Sequence, residues 1–200
     1  MKIFVGLTAC SLVALAAAVI PRAGSVPQGP WTAGVWKIAQ GTDVFFAGTA
    51  INANDGKFWI NKDTTADCPS DVEGLDCSAY PGSDTIFIEG NGTISLNVGV
   101  PGGQQVYVAD DGSLSYTAPH SGALPPGSNA TGFSRERSEA FGAPVNLYKA
   151  NGYWYICPFG DGEPREKPYQ LFVGPPGKEG CYGTLVRTYH AEGISAWEYS

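Results

Sequence analysis

Residues 85–97 read Thr-Ile-Phe-Ile-Glu, then Gly-Asn-Gly, then Thr-Ile-Ser-Leu-Asn. Two β-type runs therefore flank a short turn centred on Asn91, which is typical of a β-hairpin. The pattern recurs where Asp110-Asp111-Gly112 joins Gln-Gln-Val-Tyr-Val to Ser-Leu-Ser-Tyr-Thr. Asn151-Gly152 separates Asn-Leu-Tyr-Lys-Ala from Tyr-Trp-Tyr-Ile-Cys. Because a type I′ turn needs positive φ at both central positions, this pair predicts a further hairpin.

Short β-type runs of this kind extend through the rest of the chain and predict an all-β fold of antiparallel hairpins. The runs are Val35–Ala39, Val44–Gly48, Phe58–Lys62, Thr85–Glu89, Thr93–Val98, Gln104–Ala109, Ser113–Ala118, a weaker run near Phe133, Asn146–Ala150, Tyr153–Pro158, Tyr169–Gly174 and Thr184–His190. Twelve strands suit a β-trefoil-like barrel, which we favour over a two-sheet sandwich. Ser134–Phe141 is predicted as either two helical turns or a charged, exposed loop.

The first residues have the features of a secretory signal peptide. Lys2 supplies a positive charge, Ile3–Ala18 is apolar, and Ala16-Ala17-Ala18 provides small residues for cleavage after Ala18 or, alternatively, after Ala23. The apolar run is short for a membrane anchor, which is the competing interpretation. We expect residues 1–18 to be the signal peptide, 19–34 a flexible lead-in, 35–191 a single β domain and 192–200 a C-terminal tail.

The formal net charge is −7, and loss of Lys2 with the signal peptide leaves 11 basic and 19 acidic residues, a charge of −8. So acidic a surface disfavours binding to nucleic acid and, after cleavage, to anionic membranes. No oligomeric state is indicated.

Cysteine usage agrees with export. Of five cysteines, Cys10 lies in the signal peptide, and Cys68, Cys77, Cys157 and Cys181 remain. Three pairings are open to four cysteines, and short loops favour Cys68–Cys77 with Cys157–Cys181. A zinc site is the alternative, but it lacks a Cys-x-x-Cys pair.

No catalytic, metal or cofactor motif is present. The two histidines, His120 and His190, lie in a loop and at a strand end, and no Gly-x-Ser-x-Gly turn accompanies them. The carboxylates in turns and loops are interpreted as solvated charge. We therefore expect a protein that is not an enzyme, with His120 in a structural role.

Two other features bear on function. Asn91-Gly92-Thr93 and Asn129-Ala130-Thr131 are N-glycosylation sequons in predicted turns, so Asn91 and Asn129 are expected glycan sites. Tyr153 and Tyr155 fall on one face of a strand, and with Trp59 and Trp197 they could form a platform for sugar rings. The alternative for these aromatic side chains is packing in the core.

Several segments combine into a specific pattern. They are Lys57-Phe58-Trp59-Ile60, Asp67-Cys68-Pro69, Val-Pro-Gly-Gly-Gln-Gln-Val-Tyr-Val at 100–108, Leu114-Ser115-Tyr116-Thr117, His120-Ser121-Gly122, Pro125-Pro126-Gly127-Ser128 and Gly-Tyr-Trp-Tyr-Ile-Cys-Pro at 152–158. Over about residues 35–191 the chain resembles small fungal secreted proteins labelled IgE-binding proteins, related to the phialide-type cell-wall protein of asexual spore formation.

The resemblance implies a non-enzymatic, secreted, cell-wall-associated fungal protein, with IgE binding and spore formation as further expectations. Its partner would be cell-wall polysaccharide. The alternative functions are a secreted carbohydrate-binding module or lectin and, third, a hydrolase with an unrecognised site.

Overall fold

A computed structural model describes residues 25–38 and 44–200. The predicted signal peptide lies outside these residues. Within them the regular structure is β-strand apart from one 3-10 turn, Cys77–Ala79, which confirms the all-β class. None of the described residues belongs to a helix long and apolar enough to cross a membrane.

The strands are β1 (Trp31–Lys37), β2 (Phe46–Ala50), β3 (Asn52–Asn54), β4 (Lys57–Ile60), β5 (Ala66–Asp67), β6 (Phe87–Gly90), β7 (Thr93–Leu96), β8 (Gln104–Val108), β9 (Leu114–Tyr116), β10 (Phe133–Arg137), β11 (Val145–Lys149), β12 (Tyr153–Pro158), β13 (Tyr169–Gly174), β14 (Tyr182–Gly183), β15 (Leu185–His190) and β16 (Glu198–Tyr199).

The main sheet runs in the order β10-β11-β15-β1-β6-β7-β8-β9-β4-β13-β12-β14, with β2 paired to β1 and β3 to β4. A small second sheet pairs β5 with β16. No pairing among the described residues joins the ends of the long path, so no closed barrel is found and the favoured trefoil-like barrel is not confirmed.

The long path folds over at β8 into two halves, which we call sheet A (β10 to β8) and sheet B (β8 to β14). The halves pack through aromatic contacts: Phe58 lies 5.4 Å from Phe87, and Phe46 lies 5.4 Å from Tyr169 between ring centroids. This arrangement matches the two-sheet alternative better than a barrel. The apolar core lies between the halves.

Two of the three predicted hairpins are confirmed. β6 pairs with β7 around Asn91 and Gly92, whose φ values are 29° and 78°, and β8 pairs with β9 around Asp110–Gly112. The Asn151-Gly152 prediction is wrong: β11 pairs with β10 and β15, whereas β12 pairs with β13 and β14. The Asn-Gly pair instead carries the chain from sheet A to sheet B.

The helix-or-loop prediction for Ser134–Phe141 is wrong for its first half, which belongs to β10, whereas residues 138–141 form a loop. Phe133 and Arg135 are buried while Ser134 and Glu136 are exposed, the period of two of a strand. The buried guanidinium of Arg135 lies 3.3 Å from a Glu89 oxygen and 5.0 Å from the centroid of the Trp31 ring. Because both partners of Arg135 are distant in sequence, the charged residues around it gave no indication that its side chain would be buried.

The β domain extends beyond both predicted bounds, 35 and 191. Trp31 is fully buried in β1 and stacks on Phe87 at 4.7 Å, so residues 31–34 are not a lead-in. At the other end Ala196 and Tyr199 are buried, and β16 completes the small sheet. Large apolar side chains at both ends enter the core, which fixes the backbone around them.

Candidate functional site

A cleft of about 390 Å³ opens where the ends of sheets A and B meet. Its lining comes from β1, β12, β14 and the start of β15, and consists of Trp36, Lys37, Ile38, Tyr153, Trp154, Tyr155, Gly183, Thr184 and Leu185. Hydrogen bonds hold the two walls together. The backbone N–H of Thr184 donates to the Trp154 carbonyl at 3.0 Å, and the Thr184 hydroxyl donates to the Trp36 carbonyl at 3.1 Å.

Trp36 forms one wall of the cleft and is held in place from two sides. It points outward from β1, between the inward-facing Val35 and Lys37, and its indole N–H donates to the Tyr189 hydroxyl. The Arg187 guanidinium lies 3.9 Å from the centroid of the Trp36 ring. This stacking fixes the plane of the indole.

Gly34 is what allows the aromatic rings to lie close to the sheet. A Cβ at Gly34 would lie 3.2 Å from Cε2 of Tyr189 and 3.0 Å from the carbonyl oxygen of Gly48. A larger residue would push Tyr189 away and release its hydrogen bond with Trp36. The β1 sequence Trp-Thr-Ala-Gly-Val-Trp-Lys therefore directs one set of side chains into the core and places Trp36 on the outer face, where it contacts Tyr189.

The opposite wall carries Tyr153, with 60% of its surface exposed, and beside it Leu185, with 44%. Trp154 points the other way into the core, where its indole N–H donates to the Leu147 carbonyl at 2.7 Å. The cleft therefore presents the exposed Tyr153 ring and Leu185 side chain, on a backbone that the buried Trp154 anchors to the core.

The four residues predicted as a sugar platform do not form one surface. Tyr153 and Tyr155 both line the cleft, but Tyr155 is buried and its hydroxyl donates to the Pro175 carbonyl at 2.9 Å. Trp59 is buried against Phe159, and Trp197 packs against Tyr80. Sequence reasoning missed Trp36, although its place in the alternation of β1 marked it as outward.

A second cleft, of about 420 Å³, lies between the β6–β7 turn and β10 and includes Glu89, Asn91 and Arg135. Burial lowers the pKa of Arg135, and the neighbouring Glu89 carboxylate partly offsets this. The guanidinium also donates to the Thr188 hydroxyl and to the Pro27 carbonyl. Because its donors are engaged within the fold, we assign Arg135 a structural role.

Both predicted disulfides are present. Cys68 pairs with Cys77 at a Cα separation of 5.8 Å, and Cys157 pairs with Cys181 at 4.3 Å. The second bridge ties β12 to the segment that leads into β14, which supplies Gly183 to the cleft.

Both sequon asparagines are exposed. Asn91 occupies the tip of the β6–β7 hairpin, and the side-chain oxygen of Asn129 accepts a hydrogen bond from the Thr131 N–H at 2.9 Å. Their glycosylation stays a prediction.

The two histidines are exposed, and His120 has a positive φ of 57°. Across residues 25–38 and 44–200, no group of three or more His, Cys, Asp or Glu side chains is placed to hold a metal ion. The structural role of His120 stays a prediction.

Comparison with known proteins identifies the family. The family described as PhiA-like secreted protein matches residues 34–200. A protein of Arthroderma benhamiae described as an uncharacterized secreted protein is 32% identical over 162 residues, which cover 72% of this chain and 73% of that protein. No solved structure matches the chain. The chain therefore belongs to the PhiA-like secreted protein family.

Proposed function

We propose that this protein is a non-enzymatic, secreted, cell-wall-associated fungal protein that binds a wall polysaccharide through the Trp36 cleft. One observation carries the proposal: the indole of Trp36 is held by Tyr189 and Arg187 and lines an open cleft together with the exposed Tyr153. Family membership and the secreted relative support export.

The chemistry of the cleft suits a sugar. A pyranose ring has an apolar C–H face that packs on an aromatic ring, and hydroxyl groups at its edge that need hydrogen-bond partners. Rigid aromatic side chains bind such a face at little cost in conformational entropy, since few rotatable bonds are immobilised. Trp36 is already immobilised by its contacts, which lowers this cost further.

The lining also supports binding without catalysis. The nine described residues that line it include no carboxylate and no histidine. Glycoside hydrolysis in most families needs two carboxylates at the scissile bond, and acyl transfer needs a base beside a nucleophile. A sugar held in this cleft would therefore meet binding groups only.

The test is a pull-down of the purified chain on insoluble fungal cell walls. We expect wild-type protein to sediment with the walls, and Trp36→Ala and Tyr153→Ala to remain mostly in the supernatant. Tyr148→Ala is the matched control, because Tyr148 is also exposed but does not line the cleft. Equal sedimentation of wild type and both cleft variants would contradict the proposal.

Fractionation of producing cells into medium, salt-extractable wall and covalently bound wall locates the native protein. The family resemblance adds two further expectations, IgE binding and a part in spore formation, and each has its own test. Binding to IgE from sensitised serum tests the first, and the spore yield of a deletion strain tests the second.

A further inference from the structure

Lys37 is a buried cation in the lining of the Trp36 cleft. It is the last residue of β1, it points inward, and only 8% of its surface is exposed. Its ammonium group donates one hydrogen bond, to the neighbouring Ile38 carbonyl at 3.0 Å. Among the described residues no carboxylate lies within ion-pair distance of it. An ammonium has three donors, so two of them have no partner among residues 25–38 and 44–200.

A second cation, on β15, packs against Trp36. Arg187 stacks on the indole, and within the part of the chain that the structure describes it has no ion pair. Its Nε is buried and has no hydrogen-bond partner. Burying a charge without a counter-ion is unfavourable, and of these two cations Lys37 is the buried one, whereas Arg187 is partly exposed. Among the described residues that line the cleft, none is acidic.

We propose that the Trp36 cleft recognises an acidic glycan, and that the carboxylate of a uronic acid residue binds the Lys37 ammonium. This inference rests on the proposed function, since it names the class of sugar that the same cleft takes. The sugar ring packs on Trp36, and its carboxylate reaches round the end of β1 to Lys37, which lines the same cleft from the inner face of the strand. Arg187, beyond the indole, adds a second positive charge. The carboxylate thereby gives Lys37 a counter-ion, which none of the described residues provides.

The net negative charge of the molecule prevents the cleft from attracting every anion, so that only an anion fitting the cleft binds. The whole chain carries −7, so a polyanion is repelled at long range and gains only by direct contact in the cleft. A neutral glycan could also accept hydrogen bonds from Lys37 through its hydroxyls. It would leave the positive charge uncompensated, and this difference separates the two ligand classes.

The ligand-side experiment needs no variant. Isothermal titration calorimetry compares a trimer of galacturonic acid with its fully methyl-esterified form, which keeps the rings and removes the charge. We expect the acid to bind about tenfold or more tightly than the ester, the ratio that a charge-assisted hydrogen bond of about 1.4 kcal/mol provides. Raising the salt concentration should weaken binding of the acid and not of the ester.

The protein-side experiment uses Lys37→Met, which keeps the length of the side chain and removes the ammonium. We expect it to lose about tenfold in affinity for the acidic trimer. Lys62→Met is the matched control: the Lys62 ammonium lies 4.7 Å from the centroid of the Trp59 ring but does not line the cleft. The melting temperature of each variant is measured alongside, and the ester comparison decides the matter where Lys37→Met does not fold.

The outcomes separate this inference from the proposed function. Equal binding of acid and ester, lost in Trp36→Ala, overturns the acidic class and keeps the glycan cleft. Wall binding that depends on Trp36, with no binding of the acidic trimer, also overturns the acidic class and keeps the glycan cleft. Wall binding unaffected by Trp36→Ala, with no binding of either trimer, overturns both.

Discussion

Gln104 pairs with the backbone of Tyr199 through both ends of its side-chain amide. Its Nε2 donates to the Tyr199 carbonyl at 2.8 Å, and its Oε1 accepts from the Tyr199 N–H at 2.8 Å. The amide thus replaces a strand partner for β16, and Gln104 is only 1% exposed. Replacing it leaves buried polar groups of the backbone unsatisfied.

Gln104→Ala is therefore expected to destabilise the protein by about 3 kcal/mol, because it removes the two hydrogen bonds to Tyr199 and a third from Nε2 to the Thr117 carbonyl at 3.2 Å, and leaves a small cavity. Urea denaturation of the variant measures this. Gln28→Ala, at an exposed glutamine, should change the free energy of unfolding by less than about 0.5 kcal/mol. A similar small change for Gln104→Ala would mean that β16 is held by other contacts.

Gly152 is expected to be intolerant of any side chain, because of packing rather than backbone conformation. It lies outside the positive-φ region, and an added Cβ would overlap Cγ1 of Val173. Gly152→Ala should cost about 1–3 kcal/mol by overpacking. In the double variant with Val173→Ala the two effects should be far from additive, since the second change opens the space that the first needs. Additive costs in a double-mutant cycle would show that Val173 is not the obstacle.

Stability should fall in alkaline solution because of two buried tyrosines. Burial raises the pKa of Tyr199 to about 12, and burial also raises the pKa of Tyr116 above its usual range. Below pH 10 both hydroxyls are protonated in the folded and unfolded states. Between pH 10 and 12 the unfolded chain loses these protons while Tyr199 in the fold keeps its own, so stability is lost as pH rises.

The loss attributable to Tyr199 is about 3 kcal/mol over this window. Urea denaturation at a series of pH values should show it, and Tyr199→Phe should reduce the slope even though it lowers stability overall. That variant gives up the bonds of the hydroxyl to the Asp84 carbonyl and the Ile86 N–H. An unchanged slope would assign the alkaline loss to other groups.

Removing the two disulfides should have different consequences for the cleft. Loop entropy predicts a loss of about 3 kcal/mol for Cys68–Cys77 and slightly more for the longer Cys157–Cys181 loop. Since only the second bridge anchors β14, the Cys157→Ser/Cys181→Ser variant should also bind walls less well while it is still folded. Equal wall binding by the two double variants would show that β14 holds its place without the bridge.

Both sequons should carry N-linked glycans when the protein is secreted by a fungal host. Digestion of the secreted protein with an endoglycosidase should lower its mass in two steps, and Asn91→Gln and Asn129→Gln should each remove one of them. Each asparagine is exposed in a turn, so neither glycan would clash with the fold. A secreted protein with the mass of the bare chain would refute this prediction.

The sequence by itself determined the features that depend on neighbouring residues. Alternation of apolar and polar residues in runs such as Gln104–Ala109 predicted strands, and Gly90-Asn91-Gly92 predicted the turn between two of them, because both follow from local sterics. The two disulfides followed from the short loops and the parity of four cysteines.

Only the tertiary structure decided which strands become neighbours. Asn151-Gly152 has the chemistry of a hairpin turn, but its flanking strands have stronger partners elsewhere, so it bridges the sheets. The charged run after Phe133 forms a strand because Trp31 and Glu89 receive the Arg135 side chain. The cleft joins Trp36 to Tyr153 and Leu185, more than 100 residues further along the chain. Contacts across such separations depend on the whole arrangement of strands, which no local pattern specifies.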